Sequence, residues 1–397
     1  MDDKDYQIGS AGFHFGKKEK EYVMSVLDSH RLSYGDWTKK FEKLFANEHD
    51  SKFSVFSNSG TSALHMALAA MKEKYSWNDG DEVIVPAVTF IATSNIVLFN
   101  NMTPVFVDVD PYTYNIDIDK IESAITDKTR VILPVHLFGL PADMDPIVKI
   151  AEKNSLRILE DSCECMYATY KGKKVGSFGD VGCFSTYVAH FLVTGIGGLA
   201  ITSDPELEAL MRSYMNHGRN TAYLNINDDK GLTEDGLRDV VRKRFSFTRL
   251  GHSMRATELE AAIGVAQFEG RQENIKARRE IAKFYSKNLE CLHEYIQLPF
   301  IPDDREHNFM MYPMVLKNES KWELVNYLEL KGIETREMVP LTNQPVYEDI
   351  FGLDFKNKFP VAEWINNNGF YVGSHPYMKQ TDIQRIVDVI LEFFSNR

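Results

Sequence analysis

The strongest constraint on the fold of this chain is a regular alternation of short apolar runs with helical stretches between residues 54 and 203. Several of the runs are apolar throughout, which is typical of strands covered on both faces. This rhythm predicts an α/β fold with a mostly parallel sheet, in which ligands bind beyond the carboxyl ends of the strands. The predicted strands are Phe53–Ser57, Glu82–Pro86, Pro104–Asp108, Val131–Pro134, Arg157–Glu160, Gly182–Thr186 and Leu199–Thr202.

Helical periodicity accounts for much of the remaining chain, and the C-terminal part mixes strands with helices, which favours a smaller α+β domain. We therefore predict two domains. Residues 1–255 hold N-terminal helices and the large sheet, and residues 256–397 hold a linking helix and the small domain. The polar segment Leu224–Asp239 is predicted to be a surface loop. The predicted helices are Lys17–Ser29, Asp36–Asn47, Thr61–Lys74, Ala92–Asn100, Ile118–Ile125, Asp145–Lys153, Glu206–Asn216 and an interrupted segment, Ala256–Glu290.

Composition and charge disfavour several classes of protein. The chain has 397 residues, of which 44% are hydrophobic, and this is enough for a large layered domain and a smaller one. Because it has no run of about 18 apolar residues and no apolar leader, we expect neither a membrane span nor secretion. Four cysteines in so long a chain favour a reducing, cytoplasmic location. The net charge of −12 disfavours binding to nucleic acid.

Three segments carry residues suited to chemistry. In Ser57–Ser62, between a strand and a helix, small residues leave backbone N–H groups free to face an anion, although a plain helix cap explains them as well. Glu160–Asp161 ends a buried strand with carboxylates that can pair with a protonated pyridine nitrogen or simply cap a helix. His190 follows another strand among apolar neighbours, where a histidine is more often part of the core than a catalyst. Taken singly, each segment has the plainer explanation.

Taken together, in this order and at these spacings, the segments resemble the sugar aminotransferase family of fold-type-I pyridoxal-phosphate enzymes, which modify nucleotide-linked keto-sugars. The resemblance covers nearly the whole chain. It implies a large, mostly parallel seven-stranded sheet domain and a smaller C-terminal α+β domain. The matching segments are Gly60–Thr61, Asp81–Pro86, Thr89–Phe90, Val107–Val109, Glu160–Asp161, Gly172–Asp180, Phe184–Ser185, Gly197–Gly198, Asn216–Arg219 and Arg255–Leu259.

The resemblance also implies a cofactor, pyridoxal 5′-phosphate or pyridoxamine 5′-phosphate. In the family, backbone amides and a hydroxyl hold the phosphate, an aromatic ring stacks on the pyridine, and a carboxylate keeps the pyridine nitrogen protonated. Ser253 stands where the family has an asparagine that a neighbouring subunit contributes to the phosphate, so a homodimer is expected. The residues in these roles would be Gly60 and Thr61 (amides), Ser185 and Ser253 (hydroxyls), Phe90 (ring) and Asp161 (carboxylate).

The main departure from the family is His190, which stands where the aminotransferases carry the lysine that binds the cofactor covalently. Imidazole cannot take that role, because it is not a primary amine. A histidine here, with Glu164 where aminotransferases usually have a neutral residue, resembles the branch that removes the C3 hydroxyl from a 4-keto-6-deoxy sugar. We expect His190 to be the acid/base and Asp161 and Glu164 to be the other catalytic residues.

The chemistry of that branch explains why one side chain can change the product. Unattached pyridoxamine phosphate would condense with the C4 ketone of the sugar, and a base would remove a proton. A lysine can carry that proton to C4, which gives an amino sugar, whereas the shorter histidine would pass it to the C3 hydroxyl, which leaves as water. Glutamate would restore the pyridoxamine form. We expect no iron–sulfur centre or other metal, because Tyr214–Arg255, where a cluster-binding group would lie, contains no cysteine.

Several further residues lie in segments that line the sugar-nucleotide site in the family, although each has a plainer explanation as a surface or loop residue. An arginine in such a place suits a charge-assisted bond to the pyrophosphate. The sequence does not identify the nucleotide base. The predicted substrate-binding residues are Trp37, His217, Arg219, His307, Arg336 and Gln344.

Two alternative functions stay open. The first is a nucleotide-sugar aminotransferase that uses histidine as its proton carrier or whose lysine has been replaced, with glutamate as amino donor. The segment Gln344–Tyr347 looks more like that branch. The second is a catalytically silent protein that binds the cofactor or the sugar. The retained phosphate- and pyridine-binding residues argue against it.

Overall fold

The fold is organised around one large and one small sheet. A computed structural model describes residues 7–221, 230–338, 341–352 and 354–395. These residues form a seven-stranded sheet, a four-stranded sheet and a two-stranded hairpin. The strands are β1 (Phe53–Ser57), β2 (Glu82–Pro86), β3 (Thr103–Val107), β4 (Thr129–Ile132), β5 (Arg157–Asp161), β6 (Thr169–Tyr170), β7 (Lys173–Lys174), β8 (Val181–Ser185), β9 (Gly198–Thr202), β10 (Ile296–Gln297), β11 (Met311–Leu316), β12 (Arg336–Glu337) and β13 (Gly369–Gly373).

Helices lie before, between and after these strands. Within the described ranges, no helix is both long enough and apolar enough to cross a membrane. The helices are α1 (Lys17–Asp28), α2 (Asp36–Glu48), α3 (Gly60–Lys74), α4 (Ala92–Phe99), α5 (Ile118–Ile121), α6 (Met144–Lys153), α7 (Pro205–Met215), α8 (Glu234–Lys243), α9 (Glu258–Glu269), α10 (Arg271–Leu289), α11 (Trp322–Leu330), α12 (Pro345–Phe351), α13 (Pro360–Asn368) and α14 (Gln380–Ser395).

The large sheet has the strand order β1-β9-β8-β5-β4-β2-β3. Strand β9 runs antiparallel to both of its neighbours and the other pairs are parallel, so the predicted mostly parallel, seven-stranded sheet is confirmed. Its strands are apolar throughout because both faces are covered. Val83 and Val85 of β2 belong to the core that includes α3, whereas Ile84 packs in a separate core with Met144 and Ile147 of α6.

The small sheet is antiparallel, in the order β10-β11-β13-β12. Its core joins Tyr312 and Phe370 of the sheet to Tyr285 on α10, Leu324 on α11 and Ile386 on α14. The predicted smaller α+β domain is therefore present. Helix α9 packs against α1 and α2, whereas α10 packs against α14. The predicted division of the chain at residue 255 stays a prediction.

The predicted surface loop Leu224–Asp239 is wrong at residues 234–239, which are helical, and its residues 224–229 lie outside the described residues. Helix α8 begins inside it, at Glu234. The hydroxyl of Thr233 caps the helix by accepting from the amide of Gly236 at 3.3 Å. Ion pairs one turn apart, such as Lys243 with Asp239 at 2.8 Å, stabilise it further. Leu237, Val240 and Val241 have helical spacing, but the many charged residues around them gave the segment the composition of a loop.

His49, which follows α2, is a buried histidine of the large domain. Its ring stacks on Phe45 with 4.7 Å between centroids, and its Nδ1–H donates to the carbonyl of Val175 at 3.1 Å. Burial lowers the pKa of His49 to about 3, because the imidazolium would lose its hydration. The folded protein therefore keeps His49 neutral at pH values where the unfolded chain binds a proton.

We expect acid to destabilise the fold partly through His49. The pKa of His49 is 6.5 in the unfolded chain and about 3 in the fold. Between these two pH values the unfolded chain binds a proton that the folded protein does not, so the free energy of unfolding falls as the pH falls. The slope from one such group is at most about 1.4 kcal/mol per pH unit. His49→Phe keeps an aromatic ring without a titrating group. Urea unfolding at several pH values should show a shallower decline for this variant, and equal slopes would contradict the prediction.

Candidate active site

A cavity of about 520 Å³ lies where the carboxyl ends of the central strands meet the small domain. Residues that end or follow β1, β2, β5 and β8 line it from the large domain, and residues in or next to β11, β12 and β13 line it from the small one. This is the edge of the sheet at which the sequence predicts chemistry. The predicted site residues that line it are Gly60, Thr61, Phe90, Asp161, Glu164, Ser185, His190 and Arg336.

The start of α3 forms one end of the cavity. Ser59 caps the helix: its hydroxyl accepts from the amide of Ser62 at 3.0 Å, and its carbonyl accepts from the amide of Ala63. The amides of Gly60 and Thr61 precede the first intrahelical bond and are left to face an anion. A side chain at Gly60 would bring its Cβ within 2.8 Å of the Cβ of Ser185, so only glycine permits this close approach.

Asp161, the last residue of β5, supplies the carboxylate. Its Oδ2 accepts from the hydroxyl of Thr93 at 2.8 Å and its Oδ1 from the amide of Cys163 at 3.1 Å. The Thr93 hydroxyl lies 2.8 Å from that of Thr89 and accepts from it, because its own proton is given to Asp161. Burial raises the pKa of Asp161, and these hydrogen bonds act against that rise. A cation beside Asp161 would stabilise its charged form.

Glu160 adjoins Asp161 but serves the fold. Successive side chains of a strand point to opposite faces, and Glu160 is fully buried away from the cavity. It accepts from three amides of the turn Gly176–Gly179 at 2.6 to 2.7 Å. Its fourth partner is His136, at 3.1 Å from Nε2. Because Ala142 donates its amide to Nδ1 of His136 at 3.0 Å, the proton of this ring lies on Nε2 and is donated to Glu160.

Glu164 is the second carboxyl group of the cavity. Its Oε2 accepts from the amide of Phe138 at 3.0 Å, and Phe138 has a left-handed backbone with φ of 55°. The pKa of Glu164 is raised to about 7, mainly by burial and to a smaller extent by the negative charge of Asp161. The hydrogen bond from Phe138 acts in the opposite direction. Glu164 can therefore exchange a proton near neutral pH.

His190 lies on the loop between β8 and β9. The hydroxyls of Thr186 and Thr194 close this loop at 2.6 Å from each other, and the amide of His190 donates to the carbonyl of Tyr187 at 2.9 Å. The Nδ1 atom of His190 lies 3.2 Å from the sulfur of Met310, which comes from the small domain. The imidazole is thus held between the two domains and lines the cavity.

The surroundings of His190 favour its neutral form. Burial and the positive charge of Arg278 lower the pKa of His190 to about 4, against a backbone contact with Cys163 that raises it. At neutral pH the ring is therefore uncharged and able to accept a proton. A histidine with a lowered pKa in a cavity beside two carboxyl groups is an arrangement suited to proton transfer.

Two predicted substrate residues, Trp37 and His307, lie outside the described lining of this cavity and pack against aromatic rings. The ring of Trp37 contacts that of Tyr22 with 4.6 Å between centroids, and His307 is buried and stacked on Phe309 at 3.7 Å. Their substrate roles stay predictions.

The other predicted residues that lie apart from the cavity lining are Gln344, Ser253, His217 and Arg219. Gln344 precedes α12. Arg255 joins Ser253 to His217: its Nη2 lies 3.4 Å from Oγ of Ser253 and 3.4 Å from Nε2 of His217. Arg219 lies over the ring of Phe245 at 5.4 Å. The role of Ser253 and its expected contribution to a neighbouring subunit stay predictions.

With this geometry established, comparison with known proteins identifies the family. The model of the DegT/DnrJ/EryC1/StrS aminotransferase family matches residues 14–391. The chain belongs to this family. Two similar members differ in activity. The GDP-perosamine synthase of Caulobacter vibrioides is 34% identical over 386 residues, covering 96% of this chain and 96% of that protein. The GDP-4-keto-6-deoxy-D-mannose 3-dehydratase of Yersinia pseudotuberculosis is also 34% identical, over 382 residues that cover 94% and 95% of the two chains.

Solved structures support the same family. The Escherichia coli GDP-4-keto-6-deoxy-D-mannose-3-dehydratase with bound hydrated pyridoxal phosphate superposes with a TM-score of 0.88 at 30% identity, covering 97% of this chain and 99% of that one. Overall identity does not separate the perosamine synthase from the dehydratase, because both relatives stand at 34%. Within the DegT/DnrJ/EryC1/StrS family, the activity must therefore be argued from the site.

The cavity fits the cofactor that the sequence resemblance implies. Free amides at the start of α3 and the hydroxyl of Ser185 suit a phosphate group, and the ring of Phe90, 56% exposed, offers a surface for stacking. Within the described part of the chain, Asp161 is bonded to a hydroxyl and an amide and not to a cation, so a protonated pyridine nitrogen would supply the opposite charge. These groups suit the phosphate, the ring and the ring nitrogen of pyridoxal phosphate.

Several residues of this site were not predicted from the sequence. Thr93 had a local signal, because it lies one helical turn after Thr89 and close to the motif Thr89–Phe90. Met310 had none, since it is distant from His190 in sequence and reaches the ring only through the docking of the small domain. The aromatic rings of Phe138 and Tyr371, which also line the cavity, were indistinguishable from core residues.

Proposed function

We propose that this chain is a 3-dehydratase of a nucleotide-linked 4-keto-6-deoxy sugar, with His190 as the acid/base. The chain is an enzyme of the DegT/DnrJ/EryC1/StrS family, and its cofactor is pyridoxal 5′-phosphate or pyridoxamine 5′-phosphate. The observation that carries the proposal is the imidazole of His190 in the cavity, in place of the expected lysine. Relatives that bear the dehydratase name at 34% and 32% identity support it.

The proposed roles follow from the positions of the side chains. When bound, pyridoxamine phosphate supplies a primary amine and a protonated ring that withdraws electrons from the reacting carbon. Gly60, Thr61 and Ser185 hold its phosphate, and Asp161 holds its ring nitrogen. His190 accepts a proton at an imidazole nitrogen and passes it to the C3 hydroxyl of the sugar, which leaves as water.

Glu164 and Arg336 complete the proposed site. With a pKa near neutral pH, Glu164 can exchange protons with water or substrate on the side of the cavity next to Phe138. Arg336 is the predicted substrate residue that lines this cavity, so it is the first candidate to contact the sugar nucleotide. We further propose a homodimer in which Ser253 of one protomer completes the phosphate site of the other.

The names of the relatives motivate GDP-4-keto-6-deoxy-D-mannose as the first substrate to test, with glutamate as amino donor. The net reaction balances: keto-sugar and glutamate give 3-deoxy keto-sugar, 2-oxoglutarate and ammonia. The sugar loses one oxygen and gains two electrons, and glutamate loses two electrons and its nitrogen. The oxygen lost from C3 leaves as water, and a water is used to release ammonia.

A second candidate function is amino transfer to the same class of keto-sugar. The 34% identity to a GDP-perosamine synthase favours it. In that reaction the proton taken up by His190 would return to C4 of the sugar, and the nitrogen of glutamate would stay there. The two functions thus differ in the fate of the glutamate nitrogen and of the C3 oxygen.

Isotope-labelled nitrogen in glutamate would decide between them. The holoenzyme is incubated with GDP-4-keto-6-deoxy-D-mannose and labelled glutamate, and both the sugar nucleotide and free ammonia are analysed by mass spectrometry. Dehydration is expected to place the label in ammonia and to leave a sugar with one oxygen fewer. Recovery of the label in a stable amino sugar that keeps its C3 hydroxyl would overturn the dehydratase proposal.

A further inference from the structure

Among the residues that the structure describes, Arg278, on α10, is a buried cation whose hydrogen-bond partners include no carboxylate. It is 2% exposed. Its guanidinium donates to the carbonyls of His190 at 3.2 Å, Met310 at 2.8 Å and Phe309 at 3.4 Å, and to the side-chain oxygen of Asn274 at 2.8 Å. A buried charge is costly unless it is paired, so a cation kept here without an acid among its bonded partners calls for an explanation.

The bonds of Arg278 join the parts of the molecule that hold the catalytic imidazole. One arm holds the carbonyl of His190 itself, and the other holds the carbonyl of Met310, whose sulfur lies 3.2 Å from the imidazole. The guanidinium also lies over the ring of Phe191 at 4.9 Å. Asn274, one turn earlier on α10, donates to the carbonyl of Phe191 at 2.9 Å. Two consecutive peptide units of the His190 loop are therefore fixed from one helix.

The same contacts reach Glu164 from the other side. The amide of Met310 donates to the carbonyl of Phe138 at 3.0 Å, and the amide of Phe138 donates to Glu164 at 3.0 Å. The chain of bonds therefore runs from the carbonyl of His190 through Arg278, Met310 and Phe138 to Glu164. Displacement of the Arg278 guanidinium would therefore make the positions of both His190 and Glu164 less fixed.

The charge of Arg278 also acts on His190 through space. Burial and Arg278 together favour the neutral imidazole, which is the form that can accept a proton. Other ionisable groups line the same cavity: Asp161, Cys163 and Glu164 after β5, Arg336 and Tyr371 in the small domain, and Tyr187 on the His190 loop itself. The guanidinium of Arg278 is bonded directly to the backbone carbonyl of His190.

We propose that Arg278 is a positioning residue for the acid/base step: it fixes the His190 loop against the small domain and, through its buried charge, keeps the imidazole ready to accept a proton. The inference rests on the proposed role of His190 and holds for dehydration and amino transfer alike. A purely structural arginine would hold the two domains together without affecting the titration of His190.

The test compares Arg278→Met, Arg278→Lys and Asn274→Ala with Arg279→Met as the matched control. Arg279 is the next residue on α10 and bonds Asn308 and Glu306 of the same interdomain segment, away from the cavity lining. The titration of His190 is followed by NMR in cofactor-free protein labelled at histidine carbons, with the signal assigned by its loss in His190→Asn. The kcat and KM of the holoenzyme are measured in parallel across pH.

Arg278→Met is expected to raise the pH at which His190 titrates by at least about half a unit and to move the acid limb of kcat upward with it. We expect kcat to fall about 10- to 100-fold, with KM for the sugar nucleotide within about 3-fold, because positioning rather than substrate binding is lost. Arg278→Lys should restore the titration and part of kcat. Asn274→Ala should lower kcat and leave the titration in place, and Arg279→Met should change neither.

An unchanged titration of His190 in Arg278→Met, or a lysine variant that titrates like the methionine variant, would overturn the proposal. If Arg278→Met does not fold, the two other variants still test the proposal. It requires that His190 titrates in Arg278→Lys as in the wild type, and that Asn274→Ala has a lower kcat. Failure of the dehydratase proposal has a separate signature, since an amino sugar product leaves the titration in cofactor-free protein unaffected.

Discussion

Replacing His190 with lysine is expected to abolish dehydration and to bind the cofactor covalently to the chain. A lysine at this position presents a primary amine to the cavity, whereas imidazole cannot form that bond. The longer, flexible amine also returns protons to carbon rather than to the C3 hydroxyl. Because a positioned general acid/base contributes about 10²- to 10⁴-fold, the rate of dehydration should fall by at least about 100-fold. Borohydride treatment followed by peptide mass spectrometry would locate the covalent bond.

Two further variants separate loss of the imidazole from gain of the amine. His190→Asn should lose dehydration to the same extent and form no covalent bond to the cofactor. His293→Asn should behave as the wild type, because His293 is an exposed residue of the small domain, paired with Glu294. If His190→Lys still released ammonia and 3-deoxy sugar at the wild-type rate, His190 would not be the acid/base.

Much of the large domain is predictable from sequence because its signals are local. The strands β1 and β2 begin and end at the predicted residues, since polar residues flank β1 and Pro86 ends β2. The cavity is predictable for the same reason: the carboxyl ends of neighbouring parallel strands meet, so Gly60, Asp161 and His190 had to come close together. The motifs at these strand ends were therefore enough to bring the main groups of the site into one place.

What the sequence did not predict depends on distant contacts. Arg278 belongs to a helix rich in charge, and nothing around it distinguishes an arginine that binds three carbonyls from one that faces water. The neighbour Arg279 is chemically identical, yet it is half-buried and bonded elsewhere. The difference arises only when α10 docks against the His190 loop. The role proposed for Ser253 would depend on a further level of organisation, a contact between protomers.

Asp161 and Glu160 show the same limit within two residues. The sequence presents both as carboxylates at the end of a strand, and only the alternation of side chains across the sheet assigns them to different faces. Asp161 faces the cavity with a raised pKa, and Glu160 binds a turn and a histidine. Their roles should therefore separate cleanly in variants.

Asp161→Asn is expected to lower kcat by about 10²- to 10³-fold, the effect of removing one preorganised electrostatic partner from a reacting site. An amide cannot hold the pyridine nitrogen of the cofactor protonated, so the electron-withdrawing power of the ring is lost. The stability of the cofactor-free protein should be unchanged or higher. Burial raises the pKa of Asp161, so keeping this carboxylate charged costs folding free energy at neutral pH. The neutral amide of asparagine removes that cost.

Glu160→Gln is the matched comparison, and the opposite pattern is expected. The side-chain NH2 of glutamine would face backbone amides that now donate to the carboxylate. The free energy of unfolding in urea should therefore fall by about 2 to 3 kcal/mol. The folded Glu160→Gln protein should show the same cofactor absorbance as the wild type and should form the same reaction product. A Glu160→Gln variant that is as stable as the wild type, or an Asp161→Asn variant with unaltered kcat, would contradict these roles.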